Sequence, residues 1–352
     1  MRNLLIPLVV LFLLPAEAAA EKFKCLSNRG YSGHKIVLST QYDHLKYLPQ
    51  TEATFAKTFA AYHSVFDTDD DNNGDGIPDL LANPTVVSYH LIGVKPQGNG
   101  QYSEPTISIE RPNDWYKGPG LSFLWENRRG VSKTRIDNSY DGIGSVWNRG
   151  HWAMSDHAQR ISAEAACNTH AFWNASPQAK DLNQGPWRHL ENYSAAASNR
   201  FGEVWVVTGP IFDAGKTISY IGEDGEVPVA VPHALFKVII RETPRGVDLL
   251  SFIFEQPSSI ATSGKYKGSP IPDASWVNCN QAGKNGHQYN HSENSVNLGQ
   301  IEKRTGLIFF PDMSDEDKKK ISNFKPEKLW LIEQKYWDKK SYCGFWPPQY
   351  GY

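Results

Sequence analysis

Two short polar stretches decide how this sequence folds: WNRGH at residues 147–151 and NASPQAKDLNQGPWRHLE at residues 174–191. In the first, Gly150 separates an Arg from a His and lets the backbone approach a neighbour closely. In the second, Pro186 suits the first turn of a helix. Asn183 and Glu191 are then about 80° apart around that helix, at about 100° per residue. We therefore expect both side chains to face one cleft.

The residue types in these stretches are those that metal-assisted phosphodiester hydrolysis requires. His151 titrates near neutral pH and is a candidate base for a water molecule. Arg149 is a candidate phosphate ligand, and Asn183 offers a neutral oxygen to Mg²⁺. Each residue also has a plain structural alternative. Asn183 is equally a helix cap, Glu191 a surface acid and His151 a hydrogen-bonded core histidine, so the residues taken singly leave both interpretations open.

Other segments of the chain follow the same order as the motifs of one known family. They are VSYHL at 87–91, TGPIF at 208–212, VPHALFK at 231–237 and EKRTGLIFFP at 302–311. With NRGH at 148–151, which is similar to an Asp-Arg-Gly-His motif, the chain resembles the DNA/RNA non-specific endonuclease family. These are the ββα-metal, or His-Me finger, nucleases, which include secreted bacterial nucleases and relatives of endonuclease G.

The resemblance implies a role for each matching residue of the site. His151 matches the general base, and Asn183 matches the residue that holds Mg²⁺ directly. Glu191 matches an acid that holds the metal through water. Arg135, in KTR at 133–135, resembles an arginine that contacts the transition-state phosphate, with Arg149 as a second phosphate ligand.

Two further positions match polar residues near the family's site, and two features depart from its pattern. Asn174 and His170 fall where members place polar residues near the site, and we expect both to contact substrate, with a packed or surface histidine as the equal alternative for His170. Asn148 replaces the acid before Arg-Gly-His, and the proline that commonly follows the histidine is missing from HWAM at 151–154. Neither departure removes the base, the metal ligand or the arginine, so we expect activity.

The resemblance implies an α+β fold, a ββα-metal finger nuclease core with a central antiparallel sheet flanked by helices. We expect a signal peptide at residues 1–20, an N-terminal extension at 21–83 carrying a calcium loop, a nuclease domain at 84–312 and a C-terminal extension at 313–352 packed on it. Residue patterns predict strands at 85–94, 205–208, 229–231, 236–241 and 247–254.

Three helices are predicted from spacing and capping signals. Residues 50–64 repeat aromatic side chains at helical spacing. The helix predicted at 186–200 begins at a proline. The helix predicted at 314–322 opens with Ser314, followed three positions later by Asp317, which is a helix-start pattern.

The segment DTDDDNNGDGIPD at 67–79 is rich in oxygen-bearing side chains, and its glycines permit the sharp turn that would wrap them round a hard cation. It lacks the final Glu of an EF-hand loop and resembles the calcium repeats of thrombospondin type 3 modules. We expect structural Ca²⁺ there, with a solvated acidic loop as the alternative. The predicted ligands are Asp67, Asp69, Asp71, Asn73, Asp75 and Asp79.

The N-terminus and the cysteines bear on the cellular compartment of the protein. Arg2 precedes an apolar run from Leu4 to Leu14, about half of the ~20 residues that a membrane span needs. This pattern predicts a cleaved signal peptide and a secreted or periplasmic protein. Four cysteines allow three disulfide pairings, of which we favour Cys279 with Cys343 only because both come late in the chain.

The sequence as a whole predicts a secreted, calcium-stabilised, Mg²⁺-dependent endonuclease with Mn²⁺ as a substitute metal. It would cut DNA and RNA with little sequence preference and leave 5′-phosphates. We expect no membrane association and no obligate protein partner. A net charge of −2 does not argue against a polyanionic substrate, because six of the acids lie in the 67–79 segment, which has no basic residue, and the remainder of the chain is net positive. The alternatives are a nuclease that rejects RNA and a catalytically lapsed, calcium-dependent binding module.

Overall fold

The computed structural model describes residues 22–25, 41–53, 55–66, 82–105, 107, 109–112, 115, 121–126, 130–256, 258–260, 270–272, 276–285 and 289–338. The expected signal peptide, the acidic segment 67–79 and Cys343 lie outside these residues. The expectations that concern them therefore stay predictions from sequence.

The described residues form short and long strands around one main sheet. In chain order the strands are β1 (Phe23–Lys24), β2 (Phe55–Thr58), β3 (His63–Phe66), β4 (Pro84–Ile92), β5 (Ile109–Glu110), β6 (Val131–Lys133), β7 (Trp147–His151), β8 (Ala175–Ala179), β9 (Glu203–Ile211), β10 (Ser219–Ile221), β11 (Gly225–Glu226), β12 (Val229–Val231), β13 (Ala234–Thr243), β14 (Gly246–Glu255), β15 (Ser258–Ile260), β16 (Pro270–Pro272) and β17 (Ser295–Val296).

The helices lie mostly in the middle and late parts of the described chain. They are α1 (Ile136–Ser139), α2 (Ser155–Ala158), α3 (Ala163–Asn168), α4 (Lys180–Leu182), α5 (Arg188–Phe201), α6 (Cys279–Asn285), α7 (Leu298–Thr305) and α8 (Asp315–Asn323). The helices predicted at 186–200 and 314–322 correspond to α5 and α8.

Within the described part of the chain, the main sheet has the order β17-β14-β13-β9-β4-β3-β2, and each neighbouring pair is antiparallel. The five predicted strands are all present, four of them in this sheet. The expected α+β architecture with a central antiparallel sheet is confirmed.

Alternating side chains bury both faces of the sheet. On β9, Val204 and Val206 pack on one face, while Trp205 and Val207 pack on the other. Successive side chains on a strand point to opposite faces, so a run apolar at every position requires cover on both sides. We call the face of Val204 and Val206 the site face.

Helix α5 covers the site face through small and aromatic side chains. Leu190, Tyr193 and Ala197 are buried there among the core residues. The helix lies so close to the chain after β4 that a Cβ placed on Gly93 would be 2.5 Å from the carbonyl oxygen of Ser198. Glycine at this position is therefore required by the close approach.

Helix α7 covers the opposite face with Leu298 and Ile301. Its start is fixed by a capping box, in which Asn297 accepts a hydrogen bond from the Gln300 amide and the Gln300 side chain accepts one from the Asn297 amide. Gly306 ends the helix in the left-handed region, with φ of 71°. The sheet thus lies between two helical layers.

The antiparallel pair β7–β8 forms a separate finger on the site face. Gln256, just after β14, links the finger to the chain between β12 and β13. Its Nε2 donates to the carbonyl oxygens of Pro177 and Pro232, and its Oε1 accepts from the Ala179 amide. One buried carboxamide therefore fixes the finger relative to the sheet.

The predicted helix at 50–64 is wrong, because this segment contains β2 and leads through a hairpin turn into β3. Phe59 donates its amide to the Tyr62 carbonyl oxygen at 2.7 Å, and the two rings stack 4.5 Å apart across Ala60 and Ala61. The spacing of three that resembled a helical repeat is the spacing across a tight turn. Pairing with β4 then outweighs local helical periodicity.

A disulfide joins Cys25 to Cys167 across 142 residues. Cys279 is disulfide-bonded as well, and the remaining cysteine, Cys343, lies outside the described residues. In the part of the chain that the structure describes, no helix is long and apolar enough to cross a membrane.

Replacing both Cys25 and Cys167 by Ala should lower the free energy of unfolding by about 2–4 kcal/mol, because the bond restricts a long loop in the unfolded chain. Urea denaturation without reductant measures this and leaves the bond at Cys279 intact in both proteins. Equal midpoints and equal slopes for the double variant and the natural chain would contradict the expectation.

Candidate active site

A cavity of about 510 Å³ opens on the site face between the finger and the start of α5. Its walls combine imidazoles, arginines, aromatic rings and acids. They include Arg111, Trp115, Tyr140, Asn148, Arg149, His151, Asp156, His170, Asn183, Arg188 and Glu191. The structure therefore brings together five residues predicted from sequence, which are His151, Asn183, Glu191, Arg149 and His170.

The register of the finger positions His151 at its end. His151 pairs with Ala175, and Gly150 pairs with Ser176. A Cβ on Gly150 would overlap the side chain of Gln178, so any larger residue would push the two strands apart. Glycine before the histidine is thus a packing requirement of the finger.

His151 is half-buried and packs against two aromatic rings that line the cavity. The Trp115 ring centroid lies 4.6 Å away, and the His170 ring is 5.0 Å away at nearly a right angle. Burial holds the pKa of His151 well below its usual range, and nearby His170 and Arg111 lower it further. The imidazole is therefore neutral at neutral pH and has a lone pair with which to accept a proton.

His170 also lies in the cavity wall, as the sequence predicted. Its Nδ1 lies 3.3 Å from the Ala166 carbonyl oxygen, which can only accept, so Nδ1 carries the proton. Burial lowers the pKa of His170 to about 4, with Arg111 adding to the effect. Both imidazoles of the site are therefore uncharged near pH 7.

A break in the helix places Asn183 at the cavity. The chain forms a wide, π-type turn over Asn183–Trp187, inside which Gly185 leaves helical geometry at φ −122° and ψ −112°. A Cβ on Gly185 would overlap the Val277 carbonyl oxygen. The Nε2 of His291 lies 2.9 Å from the Pro186 carbonyl oxygen and supports the turn. This buried contact gives His291 a structural role.

Asn183 is held by the residue that departs from the family pattern. Its Nδ2 donates to the Oδ1 of Asn148 at 3.0 Å, and the Gln184 Nε2 donates to the same oxygen at 3.0 Å. The Oδ1 of Asn183 is then the atom that this side chain presents to a cation.

Glu191 is buried next to a buried lysine on β13. Burial raises the pKa of Glu191 above its usual range; Lys237 and Arg188 lower it, and Asp156 raises it. Burial lowers the pKa of Lys237, which Glu191 in turn raises. The Lys237 Nζ also lies 4.4 Å from the centroid of the Trp187 ring. The lysine charge therefore favours the ionised form of Glu191.

The donor set fits Mg²⁺. Asn183 offers a carboxamide oxygen and Glu191 a carboxylate, and both line one cavity. Mg²⁺ prefers oxygen and keeps most of its waters, so it needs few protein contacts. Among the described residues, no group of three His, Cys, Asp or Glu side chains gathers as an all-protein cage would require.

The arginines are arranged differently from the sequence prediction. Arg149 lines the cavity, with its Nη2 3.4 Å from an Asp141 carboxylate oxygen. Arg135 is paired with Asp137 and does not belong to the described cavity wall. Arg111 lies in that wall instead. Arg111 was not predicted from the sequence, because no spacing distinguishes it from the chain's other arginines.

Asn174 is fully used in holding the backbone. Its Oδ1 accepts from the Ala153 amide at 2.7 Å, and its Nδ2 donates to the carbonyl oxygens of Ala153 and Thr169. The side chain is completely buried and is not among the described residues of the cavity wall. The structure thus places Asn174 behind the site, where it joins the chain after β7 to the chain before β8.

A family model described as DNA/RNA non-specific endonuclease matches residues 77–316. The chain belongs to this family. The resemblance seen in the motifs is therefore confirmed, and the description of the family is that of an endonuclease.

Several nucleases of known name are similar to parts of the chain. The mitochondrial nuclease EXOG of Mus musculus is 36% identical over 180 residues, which cover 49% of this chain and 42% of that protein. Endonuclease G of Bos taurus is 36% identical over 119 residues, or 32% of this chain and 40% of that protein. The nuclease of Serratia marcescens is 28% identical over 237 residues, or 65% and 69%. The match spans less than half the length of these two mitochondrial proteins.

Among solved structures, a crystal structure of endonuclease G in complex with its inhibitor EndoGI aligns with a TM-score of 0.50 and 19% identity. The alignment covers 76% of this chain and 89% of that one. At this identity the likeness concerns the fold alone, and it confirms the predicted ββα-metal nuclease fold.

The prediction of a secreted or periplasmic protein is contradicted by these relatives, because EXOG and endonuclease G are mitochondrial proteins. A basic residue before a short apolar run is a local pattern and does not by itself decide the destination of the chain.

Replacing Lys237 by Met should raise the pKa of Glu191 further above its value of about 7, because the variant loses the charge that favours the carboxylate. Side-chain ¹³C NMR of the glutamates measures the titration midpoint. Lys216→Met, at an exposed lysine, is the matched control and should leave it in place. If the titration midpoint of Glu191 is unchanged or lower in Lys237→Met, the charge of Lys237 does not favour the ionised form of Glu191.

Proposed function

We propose that this protein is a Mg²⁺-dependent endonuclease that hydrolyses phosphodiester bonds of DNA and RNA with little sequence preference. One observation carries the proposal. A neutral, half-buried imidazole, His151, shares a cavity with two oxygen donors for a cation, Asn183 and Glu191, and with the arginines Arg111 and Arg149. These are the groups that hydrolysis of a phosphodiester requires.

His151 acts as the general base. Its lowered pKa keeps it unprotonated at neutral pH, so it accepts a proton from the attacking water. The ring of Trp115 packs beside it and restricts its orientation. The oxygen of that water then forms the new bond to phosphorus, and the bond to the 3′ oxygen breaks, which leaves a 5′-phosphate.

Arg149 and Arg111 bind the phosphate. Both lie in the cavity wall, and a guanidinium presents paired donors that match phosphate oxygens. The charge that develops on those oxygens during the reaction is then stabilised in a partly desolvated cavity. We assign to Arg111 the phosphate role expected of Arg135, because Arg111 lies in the cavity wall and Arg135 is not among its described residues.

Asn183 and Glu191 would hold the metal, Asn183 directly and Glu191 through water. Bound Mg²⁺ would neutralise charge on the phosphate and on the leaving oxygen, and Mn²⁺ would serve as a substitute. Glu191 is needed in its ionised form, which Lys237 and Arg188 favour against the effect of burial. For the acidic segment 67–79 we propose structural Ca²⁺ on the strength of its residue pattern alone.

Replacing His151 by Ala should reduce nicking of supercoiled plasmid in Mg²⁺ by about 10²–10⁴-fold, because the base is lost. His233→Gln, at a histidine outside the described cavity wall, should keep full activity. DNA and RNA digested side by side with and without chelator show the substrate range. Undiminished nicking by the His151 variant would remove the base assignment, and absence of turnover in the natural chain would favour the lapsed binding module.

Replacing Arg111 by Ala should lower kcat by roughly 10²-fold, since a cation facing the phosphate is lost. Arg135→Ala should change kcat less than Arg111→Ala, and Arg245→Ala, on the β13–β14 turn, is a control for net charge. Steady-state kinetics on an oligonucleotide compare the three variants. A larger loss in the Arg135 variant than in the Arg111 variant would return the phosphate role to Arg135.

A further inference from the structure

Asn148 makes a network of three hydrogen bonds between strand β7 and the start of the helical region. Its Nδ2 lies 3.4 Å from the Gly144 carbonyl oxygen. Its Oδ1 accepts from Asn183 and from Gln184, each at 3.0 Å. The family pattern has an acid at this position, which also accepts but cannot donate.

The chemistry of Gly144 sets the orientation of every amide in this network. A backbone carbonyl oxygen only accepts, so it fixes the Asn148 Nδ2 on its side. The Oδ1 of Asn148 must then face Asn183 and Gln184, and an oxygen requires donors opposite it. The NH₂ group of Asn183 is therefore directed to Asn148, and the Asn183 Oδ1 is left for the cavity.

We propose that Asn148 is a positioning residue for the magnesium site, which it serves by holding the carboxamide of Asn183 with its oxygen toward the cation. The inference rests on the proposed function, since it takes Asn183 as the metal ligand. Without Asn148 the Asn183 carboxamide rotates freely and presents its NH₂ group to the cation in part of the population. NH₂ does not bind Mg²⁺.

The same position sets the charge of the site. The substitution Asn148→Asp would keep an acceptor opposite Asn183 and add a negative charge beside the acids Glu191 and Asp156, which line the same cavity. It would lose the donated bond to Gly144. Because the added charge attracts a cation, we expect the natural chain, with its neutral Asn148, to bind Mg²⁺ more weakly than the Asn148→Asp variant.

The test measures Mg²⁺ affinity by isothermal titration calorimetry, with no substrate present, for five full-length proteins. They are the natural chain, Asn148→Leu, Asn148→Asp, Asn323→Leu and Asn183→Leu. Asn148→Leu should bind Mg²⁺ about 10–100-fold more weakly, as expected when a residue that orients a ligand is lost. Asn148→Asp should bind at least as tightly as the natural chain. Asn323→Leu is the matched control, because Asn323 is an exposed asparagine of α8 outside the described cavity wall, and it should leave the affinity unchanged.

Thermal melting without metal accompanies each titration and should show equal midpoints for the two Asn148 variants, since the residue is only partly buried. If Asn148→Leu binds Mg²⁺ as the natural chain does while Asn183→Leu does not, the positioning role is overturned. Weaker binding by Asn148→Asp would also overturn it. If Asn183→Leu binds normally, or the natural chain does not bind, the ligand assignment in the proposed function fails instead.

Discussion

The site depends on the hydrogen bond between Asn183 and Asn148, which lie 35 residues apart in the chain and belong to different elements. One element is the finger strand β7, and the other is the turn that leads into α5. The finger carries His151, and the turn and helix carry Asn183 and Glu191. The base and the oxygen donors therefore share one cavity only while these two elements stay in contact.

The constraints around this bond are steric and local. Gly150 allows the finger strands to pair over the Gln178 side chain, and Gly185 allows the turn to pass against Val277. Gln256 fixes the finger to the sheet, and His291 fixes the turn from the other side. Each contact restrains a segment that local propensity would leave variable. Together they account for a π-type turn where a regular helix would otherwise begin at Pro186.

Electrostatics in the cavity follow from burial more than from net charge. His151 is neutral because it is desolvated, while Glu191 is pulled toward ionisation by Lys237 from the sheet. The site needs an imidazole that is free of its proton and a carboxylate that carries its charge. Burial and nearby Arg111 lower the pKa of His151, while the buried Lys237 opposes the rise that burial causes in the pKa of Glu191.

The sequence predicted what is encoded in short motifs and in strand alternation. The strands of the sheet, α5, α8 and the grouping of His151, Asn183 and Glu191 all follow from local patterns. The prediction of a helix at 50–64 is wrong because a tight turn and a helical repeat can both bring together side chains three positions apart. Arg111 was missed because its place in the cavity results from long-range folding. No sequence signal separates an asparagine that contacts substrate from one like Asn174, whose hydrogen bonds all go to the backbone.

In the proposed site, His151 and Asn183 face one divalent ion. Substoichiometric Mn²⁺ broadens the NMR signals of nuclei close to it, so the histidine ring signals show directly which imidazole lies near the ion. We predict that Mn²⁺ broadens the ring signals of His151 but not those of His233, and that Asn183→Leu abolishes this broadening. Sharp His151 signals in the presence of bound Mn²⁺, or broadening that persists in Asn183→Leu, would contradict it.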